Sequence, residues 1–159
     1  MEKYDVFYKS SKDGLFAYLL RMTGDYHLAC DLVQESFARY LHRYSNIGQA
    51  SRSLLYTIAR NAAMDAFRKP KTEYFEPEDH ADQKNNPEQT VEDRQTYERV
   101  LAAIQQMGIF DRELLALLSG ADLSYTEIGG IMNISEANVK VKVHRARIRL
   151  KEILSDGGK

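Results

Sequence analysis

The densest set of chemically capable side chains lies towards the carboxy terminus. There Lys140, Lys142, Arg145, Arg147, Arg149 and Lys151 fall within twelve positions that hold no acid. Written on a helix, Val139, Val143, Ala146, Leu150 and Ile153 share one face by their i, i+4, i+7 spacing. Lys140, His144, Arg147 and Lys151 share another, with Lys142, Arg145 and Arg149 beside it. An apolar rail holds such a helix on a core while the cationic side offers forked guanidinium donors to base edges and phosphates. A charge run alone is more often a solvated face, so the flanking residues decide. Ser124-Tyr125-Thr126-Glu127 fits a capping box opening a short helix to about Met132, Asn133 suits a left-handed turn residue, and Ser135 suits the next N-cap. A short helix, a tight turn and a long helix make a helix-turn-helix, and Gly129 is small where its two helices must approach. In that motif Glu136, Asn138, Lys140, Val141 and His144 enter the major groove deepest, and Arg147, Arg149 and Lys151 meet phosphate.

No comparable grouping supports catalysis. His27, His42, His80 and His144 are scattered, and there is neither a phosphate-binding loop nor a nucleophile motif. Asp79-His80-Ala81-Asp82 reads as solvated chain rather than a metal site, and the single cysteine, Cys30, can form no internal disulfide or Cys-rich zinc site. The expectation is a protein without catalytic residues, metal or cofactor.

The elements that must position the basic helix follow from composition and periodicity. The 159 residues are 43% hydrophobic and 28% charged, as in ordinary water-soluble domains. No stretch approaches the roughly 18 apolar residues of a membrane helix, and Met1-Glu2-Lys3-Tyr4-Asp5 is followed by no signal core, which points to the cytoplasm without membrane insertion. The formal charge of −1 is an average over three unlike segments: +3 for residues 1–70, −6 for 71–93 and +2 for 94–159. The middle segment holds Pro77, Pro87 and few aliphatic residues, and reads as a flexible acidic linker whose end can begin the next helix.

Before it, Tyr4, Phe7, Tyr8, Ser11, Leu15, Leu19 and Met22 mark a first helix that Gly24 can end, and Asp25 can cap a second with the stripe Ala29, Val33, Phe37, Tyr40, Leu41 and Tyr44. A third, about residues 50–69, buries Leu55, Ile58, Ala59, Ala62 and Ala66 and stops before Pro70. After the linker, Asn86-Pro87-Glu88-Gln89 reads as a helix start running to about Met107, and Asp111 as the cap of a helix carrying Leu114, Leu115, Leu117 and Leu118. The fold class expected is all-α: a three-to-four-helix bundle and a helix-turn-helix domain, joined by the linker.

The whole chain resembles the extracytoplasmic-function (group IV) sigma factors of bacterial RNA polymerase, members of the sigma-70 family. The resemblance rests on Asp31-Leu32-Val33-Gln34-Glu35-Ser36-Phe37, on Leu55-Tyr56-Thr57-Ile58-Ala59-Arg60-Asn61 with Asp65 and Arg68-Lys69, and on Thr126-Glu127-Ile128 through Val139-Lys140 and His144-Arg145-Ala146-Arg147. It implies a sigma-2-like domain over 1–70 and a sigma-4-like domain over 94–159. It also implies promoter-specific initiation with core RNA polymerase, promoter DNA and an anti-sigma factor as partners. By that resemblance Asp31, Gln34 and Glu35 dock on polymerase, although composition alone favours a solvated face for them. Asn46, Tyr56, Arg60, Asn61 and Arg68 take the minus-10 element, the loop 46–50 holding a flipped base in a pocket that offsets its lost stacking. For Tyr56 and Met64 burial in the core is an equal reading. Ser135, Asn138, Lys140, Lys142, His144, Arg145, Arg147 and Arg149 take the minus-35 element. The family commonly has Trp where this chain has Leu54, and the acidic segment would thread towards the polymerase's basic RNA path. Two other classes fit the residues less well: a one-component helix-turn-helix regulator, which needs a ligand pocket in residues 1–70, and a polymerase-binding adaptor for which the basic stripe is incidental.

Overall fold

The computed structural model describes residues 2–44, 51–69, 90–118 and 122–157. The described residues form seven helices and no strand: α1 (Glu2–Thr23), α2 (Tyr26–Tyr44), α3 (Arg52–Arg68), α4 (Val91–Gln105), α5 (Ile109–Leu118), α6 (Tyr125–Met132) and α7 (Glu136–Gly157). None is long and apolar enough to cross a membrane. The loop 46–50 with Asn46, and residues 70–89 of the acidic segment, lie outside the described residues.

Local chemistry explains most boundaries. Gly24 takes φ +67°, a left-handed conformation that costs a glycine little, and its N–H reaches Leu20 O at 2.7 Å to close α1. Asp25 Oδ1 accepts from the Leu28 N–H at 3.1 Å and starts α2. Ser51 caps α3, its hydroxyl oxygen accepting from the Leu54 N–H at 3.3 Å. Two starts differ from expectation. The cap of α4 is Thr90, whose hydroxyl oxygen accepts from the Asp93 N–H at 3.1 Å, so the helix begins later than Asn86-Pro87 suggested. Helix α5 begins at Ile109, which puts Asp111 inside the first turn; there its charge suits the positive end of the helix dipole without capping it.

One continuous apolar core joins both halves of the chain. Leu15, Tyr18, Leu19 and Met22 of α1 and Leu55, Tyr56 and Ala59 of α3 belong to the same cluster as Leu114 and Leu117 of α5, Ile128 of α6 and Val139 of α7. Helix α1 packs on α2 and α3 within the first half and on α4 and α5 of the second, while α3 packs on α6. A smaller cluster of Met107, Leu115 and Ala146 seats α7 on α5. Among the stripe residues whose exposure is described, Leu41 is exposed, Ala66 and Leu118 are half-buried, and Tyr4 and Tyr8 are only partly covered, because each lies at the margin of its helix's contact face.

Candidate nucleic-acid interface

The helix-turn-helix is built from α6, the turn 133–135 and α7. Ser124 and Glu127 form the reciprocal capping box: the Ser124 hydroxyl oxygen accepts from the Glu127 N–H, and Glu127 Oε1 accepts from the Ser124 N–H, both at 3.1 Å. The bond from the Ser124 backbone holds the Glu127 carboxyl below the usual carboxylate range. Asn133 adopts φ 60° and ψ 46°, and the Ile134 N–H returns to Gly129 O at 2.9 Å. A Cβ on Gly129 would stand 2.6 Å from Ile134 O and 3.5 Å from a Val139 methyl. The close approach is therefore chiefly between α6 and the turn, and the helix–helix contact is secondary. Ser135 then opens α7 by accepting from the Asn138 N–H at 3.1 Å.

Along α7 the apolar rail is inside: Val139 and Ala146 have no exposed surface, Val143 is buried, and Leu150 and Ile153 are half-buried. On the outside, Ser135, Asn138, Lys140, His144, Arg145 and Arg147 are all exposed, as is Val141. Lys140 is loosely paired with Glu136 at 3.8 Å, and Glu136 also accepts from the Thr126 hydroxyl at 3.1 Å. Two expected cations are engaged within the domain. The Lys142 ammonium lies 5.3 Å from the centroid of the Phe110 ring, and Arg149 is bonded to Asp111, the α5 acid that does not cap. The exposed basic surface is thus narrower than the sequence count, centred on Arg145 and Arg147 with Lys140 beside its partner Glu136.

The face expected on α3 is only partly assembled. Asn61 and Arg68 are exposed, Arg68 standing 3.9 Å from Asp65, and Met64 is half-buried. Tyr56 does not join them and corrects the expectation: it is 1% exposed, packed edge-on to Tyr18 with ring centroids 5.4 Å apart, and burial pushes its phenol up to about 12. Residue 56 lies between Arg60 and the buried Ala59 and Ala63 on the helix, and the Tyr18 ring of α1 covers it there. Leu54, which stands where the resembled family commonly has Trp, is partly buried against the core. Arg60 is one-third exposed and its Nε donates to Glu113 Oε2 at 2.7 Å.

Glu113, from α5, is 2% exposed, and burial raises its carboxyl above the usual range although Arg60 pulls the other way. Sequence reading did not single it out. The available signal was an acid at i−4 to Leu117 and adjacent to Leu114 on a strongly apolar helix, which faces the core. Arg112 was also missed: it donates to Met22 O at 3.2 Å and to Gln105 O at 2.8 Å, clamping the end of α1 to the α4–α5 corner.

On α2, Asp31, Gln34 and Glu35 are exposed together, opposite buried Leu32, Val33, Ser36 and Phe37. Arg39 orders one edge of this group by pairing with Glu35 at 2.5 Å and approaching Asp65 of α3 at 3.9 Å.

The Sigma-70 region 2 family matches residues 7–72 and the Sigma-70, region 4 family matches 97–150, one on each side of the acidic segment. The ECF RNA polymerase sigma factor SigM of Bacillus subtilis is 35% identical over 156 residues, covering 96% of each chain, and SigW of the same organism is 30% identical over 159 residues, covering 91% of this chain and 85% of its own. The fold is shared with the sigma factor RpoE of Bartonella quintana, solved with the anti-sigma factor NepR, at a TM-score of 0.72 and 18% identity over 98% of both chains. CnrH, solved with the cytosolic domain of CnrY, gives 0.71 and 18% over 96% of this chain and 88% of that one. With both conserved regions matched in order and a relative above 30% identity along nearly its whole length, the chain belongs to the extracytoplasmic-function sigma factors of the sigma-70 family.

Proposed function

We propose a division of labour within the sigma factor's task of directing core RNA polymerase to specific promoters. Residues 94–159 read the minus-35 element as duplex, with Ser135, Asn138, Lys140, His144 and Arg145 towards the bases and Arg147 on phosphate. The observation that carries this is the exposed basic side of α7 standing opposite a fully buried Val139, Val143, Ala146 rail. An arginine there supplies bidentate donors to guanine, and exposed Val141 supplies an apolar contact suited to a thymine methyl. Residues 1–70 dock on polymerase through Asp31, Gln34 and Glu35 and hold the opened minus-10 strand through Arg60, Asn61, Arg68 and the loop containing Asn46. The chain works in the cytoplasm as a non-catalytic subunit, and an anti-sigma factor restrains it, as the solved relatives' complexes suggest.

Run-off transcription with core polymerase and a promoter library tests the reading. Transcripts that require both this protein and a shared pair of promoter elements are expected. Duplex binding without core polymerase, together with a need for another sigma factor, would instead identify a helix-turn-helix regulator.

A further inference from the structure

From Ser135 to Lys151 the chain has one acid, Glu136, followed by six Lys and Arg residues. Glu136 stands in the first turn of α7, the part of a recognition helix that is brought to the base edges. A carboxylate beside phosphate is repelled, so an acid at that place is compatible with bound DNA only over a base that offers it a donor. Its position is also defined. Glu136 Oε2 accepts from the Thr126 hydroxyl of α6 at 3.1 Å, and Oε1 lies 3.8 Å from the Lys140 ammonium one turn along α7. The two side chains remain 52% and 62% exposed. Their separation is too long for a hydrogen bond, so Oε1 keeps its acceptor capacity and the ammonium keeps its donors.

The major groove offers two exocyclic amino groups as donors, adenine N6 and cytosine N4. Adenine sets the N7 acceptor beside its amino group, which suits an amide that both gives and takes and opposes a carboxylate that can only take. Cytosine has no such acceptor. Across the pair its N4 is bonded to guanine O6, about 2.9 Å away, with guanine N7 beyond. A C·G pair therefore shows a donor with acceptors next to it. Glu136 and Lys140 show the complement, an acceptor with a cationic donor next to it.

We infer that Glu136 and Lys140 form one reading unit for a single C·G pair of the minus-35 element, Glu136 accepting from cytosine N4 and Lys140 donating to guanine O6 and N7, with Thr126 as a positioning residue. The inference deepens the minus-35 reading of α7 proposed above and rests on it. It adds Glu136 and Thr126 to that surface and gives the Glu136–Lys140 pair a base preference that neither charge has alone.

Holoenzyme formed from core polymerase and the full-length chain is incubated with a promoter library randomised across the minus-35 element, and the retained DNA is sequenced. At one position the native chain should retain cytosine over adenine by about tenfold, the scale of a well-placed base contact. Glu136→Gln, nearly isosteric, should move that position alone to adenine, because the glutamine amide matches N6 and N7 together. Lys140→Met should lower the C·G preference at the same position. Thr126→Val should weaken that preference without changing the preferred base, and Thr126→Ser, which keeps the hydroxyl, should retain it. Thermal denaturation of each variant shows whether the fold is kept. Glu136→Gln and Lys140→Met acting at different positions, or Glu136→Gln changing thermal stability with the base preference intact, overturn the reading unit and leave α7 as the minus-35 helix. A native holoenzyme that selects no minus-35 sequence overturns both.

Discussion

Helices α3 and α7 both carry cations at helical spacing, yet they present them differently. On α7 the rail of small and β-branched residues is buried on neighbouring helices, and the opposite side leaves Arg145 and Arg147 exposed, with Lys140 exposed beside Glu136. On α3 the corresponding cation is turned into a seam where a buried acid from α5 takes it up. The contrast shows that charge availability is a property of packing. A guanidinium can be part of a binding surface or part of a fold, and only its neighbours decide which.

The strongest consequence concerns which helix binds duplex. Arg145→Ala/Arg147→Ala should weaken binding to a minus-35 duplex by about 2–4 kcal/mol, at roughly 1–3 kcal/mol for a bidentate base contact and less for a phosphate. Arg60→Ala should leave it unchanged; fluorescence anisotropy across a salt series measures both, and equal losses would remove the distinction between the helices. Next is Gly129→Ala. Its Cβ would collide with Ile134 backbone oxygen, so overpacking of about 1–3 kcal/mol outweighs the ~1 kcal/mol gained in helix propensity. Thermal denaturation should show the loss, and duplex binding should fall with it because the turn aims α7.

Ser124→Ala removes one half of the capping box at a cost of about 1 kcal/mol. The Glu127 half titrates: its folded-state carboxyl lies below the usual value of 4.5, so its contribution is present above that pH and is lost as the pH falls through the lowered value. Urea unfolding between pH 7 and pH 3 should show that acid limb diminished in Glu127→Gln. The smallest effect is expected at Asn133, where glycine also accepts the left-handed backbone. Asn133→Gly should shift stability by only a few tenths of a kcal/mol, whereas Asn133→Val should cost about 1–2 kcal/mol.

Elements whose signals are local were legible from the residues. Gly24, Ser124 with Glu127, Asn133 and Ser135 each act within a few positions, and each stands where its chemistry suggested. The starts of α4 after Thr90 and of α5 at Ile109 differ from expectation because several polar residues near each can cap a helix, and spacing alone does not choose among them. Tyr56 misled for a different reason: an amphipathic aromatic at the edge of a stripe serves either a core or a binding face, and the neighbouring Tyr18 ring settled it. The pairing of Glu113 with Arg60 was invisible because the two residues stand fifty-three positions apart in sequence.

The sequence by itself determined an all-helical chain, the order of its elements, the helix-turn-helix with its caps, and the apolar and basic sides of α7. Each of these depends on periodicity or on hydrogen bonds between near neighbours. Tertiary structure alone decided that the core runs unbroken across both halves, that Asp111 takes Arg149, and that Glu113 takes Arg60. Those outcomes depend on which helical faces meet, and helical spacing records that a face is apolar or charged without naming the surface it will find.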